Sequence, residues 1–326
     1  MRRGLSALVA RRLAAALLLL LLVLSLLFAL LQLAPGDPAS RLLDPKIGSQ
    51  QRQALRVAYG LDRPPHEQYL RWLTALARGD LGVSFRHGRP VADVLADHLG
   101  PTLLLAVAAL VVQNATGLLL GVAAARRAGR RADHLIRAGS VLLYSLPTFW
   151  LALMALAAFS YGLGLFPPGH MRSVDATDFS TAGRLLDVLH HLVLPALVLG
   201  LAAGGSTARF VRNGLLDNLG EEFVRTARAK GLTRRRIVWL HALRNAATPL
   251  VQILGLSLPF LLSGALIVEV VFSWPGVGRL AYNSVLERDY PVILATTALS
   301  GLLVILGSLV ADLLQLALDP RLRDAG

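Results

Sequence analysis

Long apolar segments constrain this chain more than any other feature of its sequence. A helix needs roughly 20 apolar residues to cross the hydrocarbon core of a bilayer. The segments that reach or approach this length are 13–33, 102–125, 138–160, 192–208, 248–272 and 292–317. With 55% hydrophobic residues, 16% charged residues and a mean hydropathy of +0.57, the chain is too apolar for a soluble domain of its length. The sequence therefore predicts an all-α integral membrane protein with six transmembrane helices.

The first segment must be distinguished from a secretory signal, which is also apolar. Its apolar run is interrupted only by Ser25 between residues 13 and 31. The apolar part of a signal covers about 7–15 residues and is followed by a small-residue cleavage site. No such site follows here. We therefore expect segment 13–33 to remain as the first transmembrane helix.

The distribution of lysine and arginine predicts the orientation of the chain. Two short connections, 161–191 and 273–291, contain 4 of these residues. Four other flanks, 1–12, 126–137, 209–247 and 318–326, contain 20. Segment 34–100, with nine, is not counted, because long loops translocate largely regardless of charge. Basic residues are enriched in short cytoplasmic loops, so these flanks and both termini are expected in the cytoplasm. Segment 34–100 is then an extracytoplasmic lobe between the first two helices, and 102–317 is a five-helix core.

The cytoplasmic connection 209–247 is basic and has the pattern of short helices. Asn218 is suited to cap the N-terminus of one helix, and Gly231 to end it after a cation in the last turn. Thr233 can cap a second helix. We therefore expect a folded loop rather than a solvated link.

No motif in the sequence indicates catalysis. A P-loop needs a lysine followed by serine or threonine, and neither lysine of the chain has such a neighbour. Ser206 and Ser263 lack the glycine frame of a serine hydrolase. His190 and His191 are adjacent, and adjacent helical positions do not converge on one ion. We expect no catalytic site, no metal site and no cofactor bound by this chain.

The net charge of +13 would be consistent with a nucleic-acid partner. However, the arginines flank apolar segments, and a membrane explains that placement better than a phosphate backbone does. We therefore expect membrane lipid and no nucleic acid as a partner. The chain has no cysteine, which excludes disulfides and thiolate chemistry.

Polar residues within the predicted helices are candidates for a translocation path. The candidates are Gln113, Asn114, Ser145, Thr148, Gln252, Ser257 and Glu269. For each taken singly, a helix–helix hydrogen bond is the favoured alternative. Glu269 has two interpretations, either part of the path or its external gate, or a structural bond that holds the turn 273–276. Asp312 is expected to be structural because two arginines follow it closely in sequence.

Two predicted helices each carry a Gly-xxx-Gly pair, Gly117/Gly121 and Gly200/Gly204. Small residues at this spacing let helix backbones approach closely. Packing within the subunit is the favoured interpretation, and subunit dimerisation is the alternative.

Short motifs in a fixed order carry a resemblance that covers nearly the whole chain. They are Leu33-Ala34-Pro35-Gly36-Asp37-Pro38, Tyr59-Gly60-Leu61-Asp62-Arg63-Pro64, Gly79-Asp80-Leu81-Gly82, Tyr144-Ser145-Leu146-Pro147-Thr148, Phe272-Ser273-Trp274-Pro275-Gly276-Val277-Gly278, Arg288-Asp289-Tyr290-Pro291 and Leu318-Asp319-Pro320-Arg321. The cytoplasmic loop resembles the EAA loop of ABC-importer permeases, with Arg225-Thr226-Ala227 in place of Glu-Ala-Ala and Arg244 in place of the final proline. Together the motifs resemble the permease of the dipeptide/oligopeptide/nickel ABC importers that carries an external lobe after its first helix.

The resemblance implies a type I ABC-importer permease fold in a bacterial-type plasma (inner) membrane. The chain would form half of the translocation path of an ATP-driven, binding-protein-dependent importer. The implied partners are a homologous second permease, two ATP-binding subunits or domains, an extracytoplasmic solute-binding protein and membrane lipid. ATP and Mg²⁺ would be bound by the ATPase partners. Short peptides are the cargo implied most often, with nickel or nickel chelates and oligosaccharides as alternatives. A secondary carrier or a channel that works without an ATPase is the alternative function.

The resemblance also places the ATPase contact within residues 218–244. The expected docking residues are Phe223, Arg225, Thr226, Ala227, Arg228, Ala229, Lys230 and Gly231. Because Ala227 and Ala229 are small, both are expected to permit close approach of the ATPase, with the cations at the rim of the contact.

Overall fold

The computed structural model describes residues 2–33, 53, 57, 60, 62–233, 236–242 and 265–318, and its long elements are helices. In chain order they are α1 (Arg2–Leu33), α2 (Pro65–Ala77), α3 (Val91–Arg126), α4 (Arg131–Ser145), α5 (Thr148–Ala155), α6 (Thr181–Leu219), α7 (Glu222–Ala229), α8 (Val277–Glu287) and α9 (Tyr290–Leu318). A π-helical segment, Leu156–Gly162, continues α5, and another, Ile237–Ala242, follows α7. A 3₁₀ turn, Val174–Asp178, precedes α6, and residues 265–271 are also helical.

Within the described residues, four helices are long and apolar enough to cross a membrane. They are α1, α3, α6 and α9, and they contain the predicted segments 13–33, 102–125, 192–208 and 292–317. A fifth span is reached if α4 and the α5 helix with its π-helical continuation count as one. The predicted fifth segment, 248–272, lies largely outside the described residues and stays a prediction.

The predicted third segment, 138–160, is divided between α4 and the α5 helix with its π-helical continuation. The chain bends by 103° between α4 and α5. Pro147 disfavours helical geometry at the residue before it, and Leu146 accordingly has the extended angles φ −78° and ψ 137°. The proline then starts α5 as its N-cap. The bend therefore follows directly from one residue of the Tyr144–Thr148 motif.

Helices α3 and α6 form the most extensive helix contact in the described residues. Each presents glycines to β-branched residues of the other. A Cβ atom at Gly117 would lie 2.5 Å from Thr207 Cγ2, and one at Gly200 would lie 2.5 Å from Val112 Cβ. Val211 and Thr116 occupy the equivalent positions against Gly121 and Gly204. Both Gly-xxx-Gly pairs thus serve packing within the subunit, as the favoured interpretation predicted.

Both of these helices extend well beyond their predicted boundaries. Helix α3 begins at Val91, so the last part of the predicted lobe 34–100 is the start of this helix. Helix α6 continues to Leu219, so part of the predicted loop 209–247 is helical. Apolar residues explain the second extension, because Val211, Leu215 and Leu219 continue the packed face of α6.

Side chains of α2 contact the C-terminal half of α1. The ring of Phe28 stacks on Trp72 at a centroid distance of 5.7 Å and meets Tyr69 edge-on at 5.4 Å. Nearby, the hydroxyl of Ser25 in α1 lies 2.7 Å from the hydroxyl of Tyr69 in α2. The polar break in the first apolar segment therefore faces a hydroxyl partner.

Candidate functional site

The candidate coupling surface is α7, a short helix that follows α6 after a single turn. The prediction that Asn218 caps this helix was wrong. Asn218 lies in the last turn of α6, where its side-chain amide donates to the Gly214 carbonyl at 2.7 Å. The N-cap position of α7 belongs to Glu221, which has extended backbone angles. Because the apolar face of α6 packs as far as Leu219, α7 begins about one turn later than predicted.

The C-terminus of α7 is fixed by its backbone. Gly231 has φ +76°, and its amide donates to the Arg228 carbonyl at 2.9 Å. The Leu232 amide reaches back to the Ala227 carbonyl at 3.2 Å. This pair of bonds is the Schellman motif, which requires a left-handed residue after the helix. The prediction that Gly231 ends the helix is confirmed.

The inner face of α7 is apolar and faces the rest of the chain. Val224 and Ala227 are buried and pack with Ile237 from the following π-helical segment. Phe223 and Leu232 are partly buried against the same cluster. The side chain of Ala227 is already covered by the chain's own residues, and the expectation that it permits close approach of the ATPase stays a prediction. Its small size permits close packing of α7 on its own loop.

The outer face of α7 carries residues spaced at i, i+3, i+4 and i+7. Glu222, Arg225, Thr226 and Ala229 are all exposed along this face. The carboxylate of Glu222 accepts from the Arg225 guanidinium at 2.8 Å across one turn. Arg228 and Lys230 flank the face and are also exposed. Ala229 thus remains a small residue at a surface where another protein can approach closely.

Two of the residues predicted for a translocation path lie at the 103° bend between α4 and α5. Ser145 is exposed and Thr148 is half-buried at the two sides of Pro147. Beside them, the guanidinium carbon of Arg209 lies 5.4 Å from the centroid of the Tyr144 ring, a cation–π arrangement. The bend therefore offers hydroxyls and a cation held on an aromatic face.

The other predicted path residues have different surroundings. Gln113 is buried in the α3–α6 contact, where its amide donates to Thr207 Oγ1 at 3.2 Å. The amide of Asn114 donates to the Leu110 carbonyl of its own helix at 2.8 Å. For these two residues the contacts favour the structural alternative. Gln252 and Ser257 lie outside the described residues.

Glu269 is fully buried and binds the start of α8. Its Oε1 accepts from the Thr102 hydroxyl at 2.7 Å, and its Oε2 accepts from the Arg279 amide at 3.0 Å. The Thr102 oxygen in turn accepts from the Val277 amide at 2.8 Å. A carboxylate at a helix N-terminus satisfies donors that have no intrahelical partner. These contacts favour the structural interpretation of Glu269 over a place on the path.

Glycines explain how a carboxylate fits at this position. A Cβ atom at Gly276 would lie 2.2 Å from the Glu269 carboxyl carbon, and one at Gly278 would lie 2.9 Å from Glu269 Oε2. The indole nitrogen of Trp274 donates to the Pro101 carbonyl at 2.9 Å, which ties the same turn to α3. The Trp-Pro-Gly-Val-Gly motif therefore leaves space for the buried carboxylate of Glu269.

The sequence did not predict the hydrogen bonds of a second buried carboxylate, that of Asp289. Asp289, which is 1% exposed, accepts from the Ser84 hydroxyl at 2.5 Å and from the amides of Phe85 and Arg86 at 3.1 Å. It joins the turn before α3 to the start of α9. Asp289 lies within one of the sequence motifs named above, and Ser84 lies beside another. The sequence of motifs along the chain does not indicate which of them are in contact.

The adjacent residues His190 and His191 contact different backbone carbonyl groups. The Nε2 of His190 lies 2.8 Å from the Leu165 carbonyl oxygen, and the Nδ1 of His191 lies 2.8 Å from the Asp187 carbonyl oxygen. Both rings are thus engaged by backbone. Asp312, the other acid expected within a span, lies outside the side chains that are described.

Comparison with known families identifies matches along the chain. The family described as "Binding-protein-dependent transport system inner membrane component" matches residues 117–324. The family described as "Binding-prot-dependent transport system membrane comp, N-term" matches residues 5–106.

Several curated proteins are similar over almost their whole length. The oligopeptide transport system permease protein AppB of Bacillus subtilis is 38% identical over 98% of this chain and 99% of its own. The dipeptide transport system permease protein DppB of Escherichia coli K12 is 35% identical over 97% and 98%. The glutathione transport system permease protein GsiC of Salmonella paratyphi A is 39% identical over 97% and 98%.

Among solved structures, a chain of the inward-facing MetNI methionine ABC transporter is similar in fold. Its TM-score is 0.56 at 20% sequence identity, and the alignment covers 69% of this chain and 96% of that one. The likeness supports the helical architecture.

Replacing Glu269 with alanine is expected to destabilise the protein by on the order of 3 kcal/mol, because the Thr102 hydroxyl and the Arg279 amide lose a charged acceptor. Gly276→Ala is expected to do the same, since its methyl group would collide with the carboxylate. Both variants should show a lower Tm after purification and a lower abundance in the membrane. Gly100→Ala is the matched control, because a Cβ atom there meets nothing within 4 Å. A Glu269→Ala protein with unchanged Tm and altered cargo selection would instead support the path interpretation.

Proposed function

Because the chain belongs to the family of binding-protein-dependent transport system inner membrane components, it is a multi-pass permease subunit of an ABC importer, and we propose that its cargo is a short peptide. ATP hydrolysis in such importers lies on separate subunits, and a solute-binding protein delivers the cargo. The chain therefore contributes a path and a coupling surface rather than covalent chemistry.

The observation that carries the peptide proposal is full-length similarity to several permeases named for peptide cargo. AppB, DppB and GsiC are named for oligopeptides, dipeptides and glutathione, which is itself a modified tripeptide. The exposed hydroxyl of Ser145 and the half-buried one of Thr148 are consistent with a path that selects weakly among such cargoes. Gln252 and Ser257 remain proposed path residues.

The proposed membrane arrangement has six transmembrane helices, both termini in the cytoplasm and an external lobe after α1. The excess of lysine and arginine in the segments proposed as cytoplasmic supports this orientation. Helix α2 and the turn held by Asp289 would belong to the lobe. Helix α7 would lie at the cytoplasmic surface, at the end of α6 that carries the basic residues.

The proposed coupling surface is the outer face of α7, formed by Glu222, Arg225, Thr226 and Ala229. The inner cluster and the left-handed Gly231 hold that face in a fixed position relative to α6. Phe223, Arg228 and Lys230 would form its rim, and Ala227 would support it from within.

The proposed assembly contains a homologous second permease and two ATP-binding subunits or domains. This chain would itself bind no cofactor, and ATP with Mg²⁺ would be bound by the ATPase partners. The lack of a P-loop lysine in the sequence supports this division of labour.

Cysteine labelling tests the orientation without background, since the chain has no cysteine of its own. In intact cells, an impermeant thiol reagent should label His87→Cys and Val174→Cys, whose positions are exposed, the latter at 97%. It should label Ala128→Cys and Thr233→Cys only after permeabilisation. Labelling of Thr233→Cys from outside intact cells would invert the arrangement and remove the basis of the coupling proposal.

Substitution on α7 tests the coupling surface. Ala229→Asp should place an unpaired charge in a desolvated contact, at a cost of at least about 2–3 kcal/mol, which lowers ATPase binding roughly 30- to 150-fold. Gly231→Val should act by straining the left-handed helix end. Copurification of ATPase and cargo uptake should fall for both variants at unchanged membrane abundance. Ala128→Asp, a change at another exposed position in a basic turn, is the control, and wild-type uptake by Ala229→Asp would refute the surface.

Competition in cells that express the complete importer tests the cargo. Uptake of a labelled alanine tripeptide should depend on this chain and should be reduced by unlabelled di- and tripeptides. Ni²⁺ and maltotriose should leave that uptake unchanged. Uptake of ⁶³Ni²⁺ or of labelled maltotriose that depends on the chain, without peptide uptake, would assign a metal or sugar cargo instead.

A further inference from the structure

Helix α4 is attached to the rest of the chain in an unusual way. Its buried residues are Asp133 and Ser140, and both are polar. Leu135 and Leu142 are exposed at 73% and 60% and point away from the chain's own interior, whereas Ile136 and Leu143 are half-buried on the same face as the two polar residues. Because lipid is as apolar as leucine, apolar side chains give helices in a membrane little drive to associate. The fully buried contacts of α4 are therefore those of Asp133 and Ser140.

The stronger of these contacts is a forked ion pair with α6. Arg212 Nε donates to Asp133 Oδ1 and Arg212 Nη2 donates to Asp133 Oδ2, each at 2.7 Å. Asp133 is 1% exposed, and its Oδ2 also accepts from the Gly129 amide at 3.0 Å. Only a guanidinium offers two parallel donors to one carboxylate. The pair thus fixes both the distance and the angle between the start of α4 and α6.

The second contact lies two turns further along α4. A Cβ atom at Gly205 would lie 2.6 Å from the Ser140 carbonyl oxygen, so the two backbones touch there. Together with the ion pair, this contact defines a seam between α4 and α6. Helix α4 also touches α3, but it packs more extensively on α6.

The seam connects the two functional parts of the chain. At one end, α6 runs from Arg212 to Leu219 in about two turns, and Leu219 packs on the inner cluster of α7. At the other end, α4 leads from Ser140 to the bend at Ser145 and Thr148. A displacement of α7 therefore reaches the bend through α6 and this seam.

We propose that Asp133 and Arg212 are positioning residues for transport, which make α4 and the path residues at the bend move with α6 when the ATPases displace α7. The inference rests on the proposed function and goes beyond it by assigning the mechanical link. A bidentate pair transmits rotation as well as translation, because neither partner can turn without breaking one bond. Rigid elements joined in this way carry a change at one site to another.

Arg212→Lys tests the link, because it keeps the charge and removes the fork. In the complete importer reconstituted in vesicles, the variant should retain ATPase copurification and ATP hydrolysis, whereas peptide uptake per ATP hydrolysed should fall about fivefold or more. Arg89→Lys is the matched control, since it alters an ion pair with Asp97 whose side chains are 46% and 59% exposed. The control should keep the wild-type ratio.

A distance measurement separates positioning from mere stability. Nitroxide labels on Leu135→Cys and Asp217→Cys, both at exposed positions, report the spacing of α4 and α6. With the native pair, the distance should be the same in nucleotide-free and ATP–vanadate-trapped importer. With Arg212→Lys it should differ between the two states. If that variant does not reach the membrane, Asp133→Asn, which keeps an amide oxygen for one donor, serves in its place.

Several results would overturn the inference. Unchanged uptake per ATP, an unchanged distance in the variant, or an equal loss of hydrolysis and uptake would show that the pair does not couple the helices. In each of those cases the wild-type importer still contains its ATPases, and the proposed function stands. Absence of ATPase from the wild-type complex would instead refute the proposed function, and this inference with it.

Discussion

Contact between the backbones of α3 and α6 supports the rest of the described structure. Neither helix gains much by hiding apolar side chains from lipid, so the contact must come from close fit. Glycines on each helix contact β-branched side chains of the other, namely Val112, Thr116, Thr207 and Val211. Because glycine has no side chain, the helix axes come close enough for dispersion forces to act over the whole crossing. The pair then forms a rigid frame. Helix α7 extends from one end of this frame, and α4 rests on its side.

Buried carboxylates fasten the remaining elements to that frame. Glu269 holds the start of α8, Asp289 holds the turn before α3 against α9, and Asp133 holds α4 against α6. Each acid is surrounded by backbone amides, hydroxyls or a guanidinium, which offset the cost of removing it from water. These directional bonds act beside apolar contacts, since Val91, Leu280 and Val292 also pack together where α3, α8 and α9 meet. They also give each junction one geometry rather than a range.

The same arrangement makes α7 a suitable coupling element. Its inner face belongs to the chain's own core, and its outer face is free along a line of small and polar residues. Under the proposed function, a short helix held in this way would move with α6. Movement of its outer face would then reach the bend at Pro147 through the seam between α4 and α6.

The sequence by itself determined the apolar segments that α1, α3, α6 and α9 contain, because length and hydropathy of a span are local properties. It also determined the left-handed Gly231, since a helix end followed by glycine is a local signal. The tertiary structure decided everything that depends on which surface meets which. It placed Ala227 inside and Ala229 outside, joined Glu269 to the start of α8, and paired Asp133 with Arg212 across 79 residues of sequence. A single sequence does not reveal such pairings, because the energy of a buried carboxylate depends on the donors around it, and those donors come from distant parts of the chain.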